Sequence, residues 1–537
     1  MRAVADLDDH AALVAALRDP RAWPGVSAAV ELVETHISSV LLAGEHACKL
    51  KKPVRFSFLD FSTLERRRHF CEEELRINRR TAARLYLGVR PIVGSIESPR
   101  LGSEGSEGEA IEYCVWMRRF DSAHTLDRLA FAGALTDAHI DALAQAIAAL
   151  HAVAAPVPPD ADYGSAATAR RWALRNLDDL RADAHAAADR GRLDALLAWT
   201  GHEAARLATA IDARRAAGRV RECHGDLHLG NAVLIDGAPL LFDALEFDPE
   251  LRFIDVGSDV AFMFMDLLDH ELPALGWRLL DGWLQASGDW DAAPLLRFYA
   301  VYRALVRARV AQLRAQQGNR QGGGAGSTRL SRLRQHVSYT HYLALAERLA
   351  QPPAPALVVM SGLSGSGKST AAAAIARALG ALRIRSDVER KRLAGLDPQA
   401  RGDDALYAPA MTARTYVRMQ ALAGMLLDAG LSVVVDAAAL RAAERSALAT
   451  VARRRGLRVV VVACEAPIGV LAARIDARGR TGADPSDATR AVLQRQVGWR
   501  EPRAADEPEH WLLDTAVERA QLQQACAVLA QRLLTRA

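Results

Sequence analysis

Residues 357–370 read LVVMSGLSGSGKST, and this stretch decides the fold of the C-terminal third of the chain. The apolar run Leu357–Met360 predicts a buried strand, and the Ala-rich run Thr370–Leu379 predicts a helix. The glycines between them allow backbone N–H groups to close around a phosphate. A strand, a glycine-rich turn and a helix in this order predict a phosphate-binding loop.

The pattern G-x-x-x-x-G-K-S also predicts a role for individual positions. We expect Lys368 to reach the β- and γ-phosphates of a nucleotide and Ser369 to bind Mg²⁺. The N-terminus of the following helix adds a favourable partial positive charge. The residues expected to bind the nucleotide here are Gly362, Ser364, Gly365, Ser366, Gly367, Lys368, Ser369 and Thr370.

Two aspartates follow later apolar runs of the same region. Asp387 comes at the end of LRIRSD, and Asp436 ends LSVVVD. A carboxylate at the carboxyl end of a parallel strand faces the ligand crevice. Asp387 could therefore take a proton from a substrate hydroxyl, and Asp436 could bind the metal. The alternative for either residue is a helix N-cap.

Arginines at 474, 478 and 480 precede a segment that contains Gly, Asp and Pro. This spacing is typical of a lid that closes on phosphates, and we expect Arg474 and Arg478 to bind the nucleotide. A solvated helix face is the alternative. Lys391 lies one helical turn after Asp387, where it could contact an acceptor, although a surface run with Glu389 explains it more simply.

Residues 355–537 resemble small P-loop kinases such as gluconate kinase, chloramphenicol phosphotransferase and the zeta-toxin kinases. The resemblance rests on GLSGSGKST, on RSD at 385–387 and on the arginine-rich lid. It implies ATP-dependent phosphorylation of a hydroxyl, with Asp387 as the base. A mechanical AAA-type ATPase is disfavoured, because Asp436 is followed by three alanines rather than by a second acidic residue.

A second motif, HGDLHLGN, occupies residues 224–231. Asp226 and Asn231 are five positions apart, and Asp243 follows a short apolar run. Phosphoryl transfer of the protein-kinase type uses an Asp to orient the acceptor hydroxyl, and an Asn and a second Asp to hold the metal. The spacing therefore predicts a second phosphotransferase site.

HGDLHLGN with the later FD closely resembles the aminoglycoside phosphotransferase family, with its choline and fructosamine kinase relatives. The resemblance covers about residues 25–310 and implies a bilobal, protein-kinase-like fold. It makes Asp226 the catalytic base and Asn231 and Asp243 metal ligands. The nearby His224 and His228 are expected to brace loops rather than to bind metal, and Asp255 and Asp259 are expected to be caps or loop braces rather than catalytic residues.

The first lobe should supply a lysine that grips phosphate and a glutamate that holds this lysine. Strand alternation places Lys49 and Lys51 on one face of HACKLKKPV; Lys49 is our first choice and Lys51 the second. Glu74 lies on the following helix and faces the interior of the lobe. Ser62-x-x-Glu65 predicts a capping box at the start of this helix. Met117 should lie at the hinge that receives adenine. The alternative for Lys49 is an ordinary surface lysine.

Domain boundaries follow from composition. The run Gln351-Pro352-Pro353-Ala354-Pro355 cannot continue a helix. We therefore expect a kinase-like domain at 1–350, with an N-lobe at about 25–120 and a C-lobe at about 121–350. A proline linker at 351–356 and a P-loop domain at 357–537 follow. The low-complexity run 317–327 predicts a mobile loop.

Bulk properties exclude several classes of protein. The net charge of +4 over 537 residues does not favour nucleic-acid binding. Six dispersed cysteines argue against a zinc site or a disulfide framework and favour the cytoplasm. The acidic N-terminus does not resemble a signal peptide, and no apolar run reaches the ~18 residues of a membrane span. Only five lysines occur among 68 basic residues, and four of them fall at the two predicted sites.

Together these patterns predict a chain of mixed α/β and α+β class, in which a protein-kinase-like bilobal fold precedes a P-loop kinase domain with a parallel sheet. The expected function is transfer of the γ-phosphate of ATP, with Mg²⁺, to hydroxyl groups of small molecules at two sites. One alternative is that the N-terminal domain is a nucleotide-binding regulator of a C-terminal kinase or ATPase. Another is that the C-terminal domain is an ATPase without an acceptor. The acceptors and the oligomeric state stay open.

Overall fold

The computed structural model describes residues 3–35, 37–56, 59–103, 105–106, 109–184, 187–320, 328–398, 400–402, 404–481 and 488–535. The chain divides into two compact units. The first comprises Met1–Asp266 with Phe298–Ala346, and the second comprises Leu267–Arg297 with Glu347–Ala537. The domain limits expected at 350 and 357 stay predictions.

The strands of the first unit are short. They are β1 (Glu31–Glu34), β2 (Ser38–Ala43), β3 (His46–Lys51), β4 (Arg55–Phe56), β5 (Leu59–Asp60), β6 (Tyr86–Gly94), β7 (Pro99–Leu101), β8 (Ala110–Arg118), β9 (Val220–Glu222), β10 (Ala232–Ile235), β11 (Ala238–Leu241) and β12 (Phe253–Asp255). Six of them form an antiparallel sheet in the order β1-β2-β3-β8-β6-β7. The predicted strand with Lys49, β3, lies inside this sheet between β2 and β8.

The helices described up to Ala350 belong mostly to the first unit, although one lies in the second unit and three have residues in both. They are α1 (Leu7–Leu17), α2 (Leu64–Ala82), α3 (Leu126–Phe131), α4 (Asp137–Val153), α5 (Ala166–Ala182), α6 (Ala187–Ala216), α7 (Pro249–Arg252), α8 (Val256–Asp269), α9 (Pro273–Ser287), α10 (Leu296–Arg320) and α11 (Thr328–Ala350). Helix α2 packs against β8 and β6, with Cys71 and Ala82 buried against Tyr113 and Val115. This packing fixes α2, which carries Glu74, against the sheet that carries Lys49.

The predicted start of α2 is wrong by one residue. Thr63 is the N-cap, and its hydroxyl accepts a hydrogen bond from the N–H of Arg66. The hydroxyl of Ser62 instead donates to Asp60 Oδ1 at 2.5 Å. Serine and threonine are both good N-caps, but the hydroxyl of Ser62 is already bonded to Asp60, so Thr63 caps the helix.

The predicted mobile loop at 317–327 is wrong for its first four residues. Helix α10 continues to Arg320. Gly318 is the weakest helix former in this stretch, and a glycine lowers helix stability by only about 1 kcal/mol. The remaining residues, 321–327, lie outside the described part of the chain.

The second unit is built around a five-stranded parallel sheet. Its strands are β13 (Ala356–Ser361), β14 (Ala381–Arg385), β15 (Ser432–Asp436), β16 (Arg458–Glu465) and β17 (Glu509–Asp514), in the order β14-β15-β13-β16-β17. Its remaining helices are α12 (Lys368–Leu379), α13 (Ser386–Leu393), α14 (Pro409–Asp428), α15 (Ala442–Arg453), α16 (Ile468–Thr481), α17 (Arg490–Trp499) and α18 (Arg519–Thr535).

The apolar strands of this sheet are covered by helices, as a parallel sheet requires. Val358 and Val460 are fully buried, and they share one core with Ala371 of α12 and Leu533 of α18. The most apolar runs form the three central strands, β13, β15 and β16. Among the helices that the structure describes, none is long and apolar enough to cross a membrane.

Candidate active sites

In the first unit, the HGDLHLGN run forms the connection from β9 to β10. His228 Nδ1 accepts from the N–H of Gly230 at 3.1 Å, which leaves the proton on Nε2, 3.5 Å from Asp226 Oδ2. The amide of Asn231 donates to the carbonyl of Asp226 at 2.9 Å and to its Oδ2 at 3.1 Å. The loop therefore orients the carboxylate of Asp226 from two sides.

Side chains from outside this loop form hydrogen bonds to its backbone. Asp259 accepts from the N–H groups of His224 at 3.1 Å and Gly225 at 3.0 Å, and it also bonds the ring of His151. Arg303 donates to the carbonyl of Gly225 at 3.1 Å. The expectation that Asp259 braces a loop is confirmed.

Asp255 and His224, which were also expected to brace loops, do so. Asp255 forms a bidentate ion pair with Arg214, with both N···O distances at 2.8 Å, and accepts from the N–H of Gly257. His224 Nε2 donates to the carbonyl of Phe242 at 3.0 Å, and burial lowers the pKa of its ring. The neutral ring of His224 therefore holds the segment before Asp243 through its hydrogen bond to Phe242.

Asp226 is held in its ionised form. Burial by itself would raise the pKa of Asp226, but the nearby His228 and Arg307 outweigh it and hold this pKa well below its usual range. A carboxylate with a low pKa accepts a hydrogen bond from a hydroxyl and orients it, and it takes the proton only late in a reaction.

Lys49 lies between two carboxylates. Its Nζ is 2.8 Å from Glu74 Oε1 and 2.5 Å from Asp243 Oδ1. Alternation along β3 directs Lys51 to the same face, where its Nζ bonds Glu74 Oε2 at 2.8 Å and also bonds Glu246. Both candidate lysines therefore reach Glu74, but only Lys49 reaches Asp243. The alternative that Lys49 is a surface lysine is wrong.

The five charged groups form a chain in the order Asp243, Lys49, Glu74, Lys51 and Glu246. Burial would raise the pKa of Glu74, but the two ammonium groups outweigh it and lower this pKa to about 2. Lys51 is fully buried, and its Nζ lies 4.9 Å from the centroid of the Phe61 ring. Glu246 was missed by the sequence analysis; the one signal for it was an acidic residue three positions after Asp243.

Asp243 has a strained backbone. It lies two residues beyond the end of β11, not at the strand end as expected, and its φ is +61°. A non-glycine residue in the left-handed region costs about 1–3 kcal/mol and persists only where neighbours enforce it. Here its N–H donates to the hydroxyl of Tyr86 at 3.1 Å. The strain turns the carboxylate away from the strand direction and toward Lys49.

Met117 lies near the end of β8, in register with Ala47 on one side and Tyr86 on the other. The next two N–H groups, of Arg118 and Arg119, donate to the carbonyls of Leu85 and Glu45. The role of Met117 as an adenine hinge stays a prediction.

In the second unit, the loop after β13 requires its glycines. Gly362, Gly365 and Gly367 have φ values of +151°, +80° and +76°. A Cβ on Gly362 would lie 2.7 Å from Cys464 O, and one on Gly365 would lie 2.6 Å from Leu471 O. The loop is therefore shaped by backbone that only glycine can adopt at these positions.

The loop and the strand end beside it hold buried polar atoms that point to a ligand. Ser366 Oγ and Asp436 Oδ2 are buried and have no hydrogen-bond partner among the described residues. Lys368 Nζ donates to the carbonyl of Leu363 at 3.0 Å. A hydroxyl, a carboxylate and an ammonium group fit a nucleotide phosphate with a divalent cation.

Asp387 was expected at the end of the strand, but β14 ends at Arg385, and Asp387 lies two residues later in the first turn of α13. It accepts from Arg390 Nη1 at 3.0 Å. The residue before α13 is Arg385, so Asp387 is not the N-cap. Asp436 ends β15, as predicted. Neither alternative as a helix cap holds.

One cavity of about 530 Å³ brings these groups together. It is lined by loop residues, by the two aspartates and by side chains of α14, α15 and α17. Lys368, Ser369, Asp387 and Asp436 all line it. The cavity is large enough for a ligand of nucleotide size together with a second small molecule.

The predicted lid is only partly described. Arg474 donates to Thr515 O at 2.6 Å and to Gly365 O at 3.4 Å, so it braces the loop and does not line the cavity. Arg478 lines the cavity, and it donates to Ala488 O at 3.4 Å. The segment 482–487 and the side chain of Arg480 lie outside the described residues.

The surface interpretation of Lys391 is wrong. Lys391 and Glu389 are each only 1% exposed. Glu389 accepts from the indole N–H of Trp290 at 3.0 Å. Sequence reasoning missed this because a run of charged residues says nothing about which helix faces are covered.

Comparisons with known proteins match both halves of the chain. The model described as "Phosphotransferase enzyme family" matches residues 60–293, and the model described as "AAA domain" matches 357–503. Uncharacterized protein Rv2004c of Mycobacterium tuberculosis is 32% identical over 478 residues, which are 88% of this chain and 91% of that protein. The same values hold for Uncharacterized protein Mb2027c of Mycobacterium bovis. The chain belongs to the family of these mycobacterial proteins.

The chain therefore joins an aminoglycoside-phosphotransferase-like domain to a P-loop kinase-like domain, as predicted. The protein is an ATP-binding phosphotransferase of the kinase type. The predicted fold classes and the predicted enzyme class are confirmed.

Solved structures match parts of the chain. A gluconokinase from Sinorhizobium meliloti 1021 is 26% identical and covers 34% of this chain and 97% of its own, with a TM-score of 0.25. A choline/ethanolamine kinase family protein from Mesorhizobium loti is 12% identical and covers 63% of this chain and 99% of its own, with a TM-score of 0.35.

Proposed function

We propose that this family member is a tandem kinase with two ATP sites, each of which transfers the γ-phosphate to a hydroxyl group of a small molecule. One observation carries the proposal. In each unit, the aspartate expected to hold the acceptor lies in one constellation with a phosphate-gripping lysine and with metal-binding side chains. In the first unit, Asp226 bonds Asn231, the carbonyl of Asn231 accepts from the N–H of Phe242, and the next residue, Asp243, bonds Lys49. In the second unit, Lys368, Ser369, Asp387 and Asp436 line one cavity.

In the first unit, Asp226 accepts a hydrogen bond from the acceptor hydroxyl and later its proton. Lys49 grips phosphate oxygens, and Glu74 holds its ammonium group in place. Asn231 and Asp243 supply an amide oxygen and a carboxylate to the metal, which are donors that Mg²⁺ prefers. Met117 lies at the hinge for adenine.

In the second unit, the backbone N–H groups of the loop and Lys368 hold the β- and γ-phosphates. Ser369 and Asp436 hold the metal, and Asp387 takes the proton of the acceptor hydroxyl. Arg478 reaches the nucleotide from the cavity wall. Arg474 supports the phosphate-binding loop through its hydrogen bond to the carbonyl of Gly365. The remaining loop residues, from Gly362 to Thr370, complete the phosphate cradle.

Mg²⁺, when bound at either site, would neutralise the charge that develops on the transferred phosphoryl group. The domain limits at 350 and 357 separate the two activities in this proposal. All six cysteines are buried with free thiols, which supports a reducing cytoplasm as the compartment.

The destination of the phosphate tests the proposal. Purified full-length protein is incubated with γ-labelled ATP and a deproteinised metabolite extract, and products are separated from free phosphate. We expect labelled small molecules, one set lost in Asp226→Ala and another set lost in Lys368→Ala. Asp178→Ala, an exposed residue of α5, is the matched control.

The outcomes separate the alternatives. If only free phosphate appears, and only Lys368→Ala abolishes it, the tandem-kinase proposal is wrong and an ATPase remains. If Asp226→Ala changes the rate of the Lys368-dependent product without removing any product of its own, the first unit is a nucleotide-binding regulator.

A further inference from the structure

The cavity of the second unit has more positive than negative lining side chains. Its cationic members are Lys368, Arg385, Arg390, Arg441, Arg478 and Arg495, and its anionic members are Asp387, Asp436 and Glu444. The proposed function assigns Lys368 and Arg478 to the nucleotide and Asp436 to the metal. Arg385 Nε lies 3.7 Å from Asp436 Oδ2, so three arginines and two carboxylates remain for the rest of the cavity. This surplus is not explained by the nucleotide site.

Arg390 is the arginine closest to the proposed base. It lies three residues after Asp387 on α13, and its Nη1 bonds Asp387 Oδ1 at 3.0 Å. Its guanidinium carbon lies 4.8 Å from the centroid of the Tyr407 ring. Stacking on an aromatic ring and one ion pair hold the fork in a fixed orientation at the cavity wall.

One donor of Arg390 lacks a partner. The residue is only 8% exposed, yet its Nε is buried without a hydrogen-bond partner among the described residues. Buried donors are nearly always satisfied, so such an atom in a ligand cavity points to a partner supplied by the ligand. The guanidinium fork matches the planar geometry of a carboxylate and the oxygens of a phosphate.

The geometry also links binding to chemistry. Because Arg390 and Asp387 are bonded to each other, an anion on Arg390 places an adjacent hydroxyl of the same molecule beside Asp387. A neutral polyol could accept a hydrogen bond from Nε, but it would not compensate the positive charge of the arginine. A cationic acceptor would be repelled by the surplus of arginines.

We propose that the acceptor of the second site is an anionic hydroxy compound whose carboxylate or phosphate binds Arg390 while its hydroxyl is held by Asp387. This inference rests on the proposed function of the second unit. The hydroxyl oxygen forms a bond to the γ-phosphorus, and the bond from that phosphorus to the β–γ bridging oxygen breaks. The hydroxyl proton passes to Asp387, and ADP leaves with the electron pair of the broken bond.

The test uses the full chain with Asp226→Ala, which silences the first site. A deproteinised metabolite extract is divided on an anion exchanger at pH 7 into an anionic fraction and a neutral and cationic fraction. Each fraction is incubated with γ-labelled ATP and Mg²⁺, and labelled products that disappear in Lys368→Ala are counted. A portion of the anionic fraction is first treated with phosphatase, which is then removed.

We expect the labelled product from the anionic fraction only. Loss of the product after phosphatase treatment identifies a phosphate as the anion, and its survival identifies a carboxylate. A Lys368-dependent product from the neutral and cationic fraction alone overturns the inference and leaves the proposed function intact. If neither fraction yields such a product, the proposed function of the second unit fails, and the inference fails with it.

Variants of Arg390 give an independent readout. With the active fraction as acceptor, we expect Arg390→Gln to raise the KM for the acceptor at least tenfold, while the KM for ATP changes less than threefold. Arg390→Lys should recover part of the loss, because it keeps the charge without the fork. Arg454→Gln, an exposed arginine of the same unit, is the matched control. A fall in kcat with an unchanged acceptor KM would show that Arg390 only orients Asp387, and would overturn the inference.

Discussion

The two proposed sites hold phosphate by opposite means. In the first unit, the groups come from distant segments of the chain and are held by buried ion pairs between side chains, in the order Asp243, Lys49, Glu74, Lys51 and Glu246. In the second unit, the loop from Gly362 to Ser369 is shaped by backbone that only glycine can adopt at three of its positions. The first site therefore depends on charged side chains, whereas the loop of the second site depends on the absence of a side chain at its glycines.

The largest expected effect is on the side-chain site. Lys51→Met removes the buried ammonium group that joins Glu74 to Glu246, and it leaves two carboxylates without their shared partner. Removing one partner of a buried ion pair costs about 3–5 kcal/mol. Hydrogen–deuterium exchange in the full chain should show β3 and α2 losing protection by this free energy.

A double variant controls this experiment. Lys51→Met with Glu246→Gln removes one carboxylate together with the lysine, so it should recover part of the lost protection. The second unit should keep its exchange rates in both variants. Unchanged protection of β3 and α2 in Lys51→Met would show that the buried charges do not hold the first site together.

The next largest effect is on the backbone site. Gly365→Ala places a Cβ at a φ of +80° and 2.6 Å from Leu471 O, so the loop must move. A displacement of about 1 Å at a reacting group can cost roughly 100-fold in rate. We expect a loss of that order in the Lys368-dependent product, measured with saturating ATP.

Gly456→Ala is the matched control for this variant, because Gly456 has a φ of +65° and no atom within 4 Å of its ideal Cβ. It imposes the same kind of backbone strain without a steric clash, and away from the loop. Equal losses of activity in the two variants would contradict the idea that the loop shape itself carries the second site.

Low pH should destabilise the first unit, because this unit contains a buried histidine. Burial, more than the nearby Lys52 and Arg67, lowers the pKa of His10 to about 4. Its unfolded-state value is 6.5, so the unfolded chain binds the proton first, and stability is lost as the pH falls from about 6.5 to about 4. The full loss is roughly 2–3 kcal/mol for a buried group.

His10→Gln should flatten this pH dependence, measured by urea unfolding of the first unit between pH 7 and pH 4. The ring of His10 bonds Ser39 Oγ at 3.0 Å, so glutamine keeps a polar partner for that hydroxyl. His124→Gln, at an exposed position, is the control and should leave the slope unchanged. The same slope in His10→Gln and in the unaltered protein would rule out this histidine as the cause.

The smallest effect concerns the start of the helix that carries Glu74. Thr63→Ala removes the N-cap hydroxyl of α2 and should destabilise the first unit by about 1 kcal/mol. Ser62→Ala should cost less, because Ser62 bonds Asp60 rather than the helix. A larger cost for Ser62→Ala in urea unfolding would favour the cap predicted from the sequence.

Much of the fold could be read from local patterns. The strands around Lys49, the phosphate-binding loop and the parallel sheet of the second unit were all predicted, because each rests on periodicity or on glycine and proline positions. The errors lie where neighbours in space decide. Ser62 was chosen over Thr63, Lys391 was placed on the surface, and Glu246 was not found at all.

The sequence by itself determined the two motifs and the residue types at each proposed site, since a glycine-rich turn or an Asp and an Asn five positions apart is a local property of the chain. Only the tertiary structure decided which charges meet. Lys49, Glu74 and Asp243 come together because β3, α2 and the segment after β11 pack against one another. Arg390 reaches Asp387 through helical spacing, but it meets the Tyr407 ring only because separate segments pack together at the cavity. Burial and distance between separate segments depend on packing, and no spacing along the chain encodes them directly.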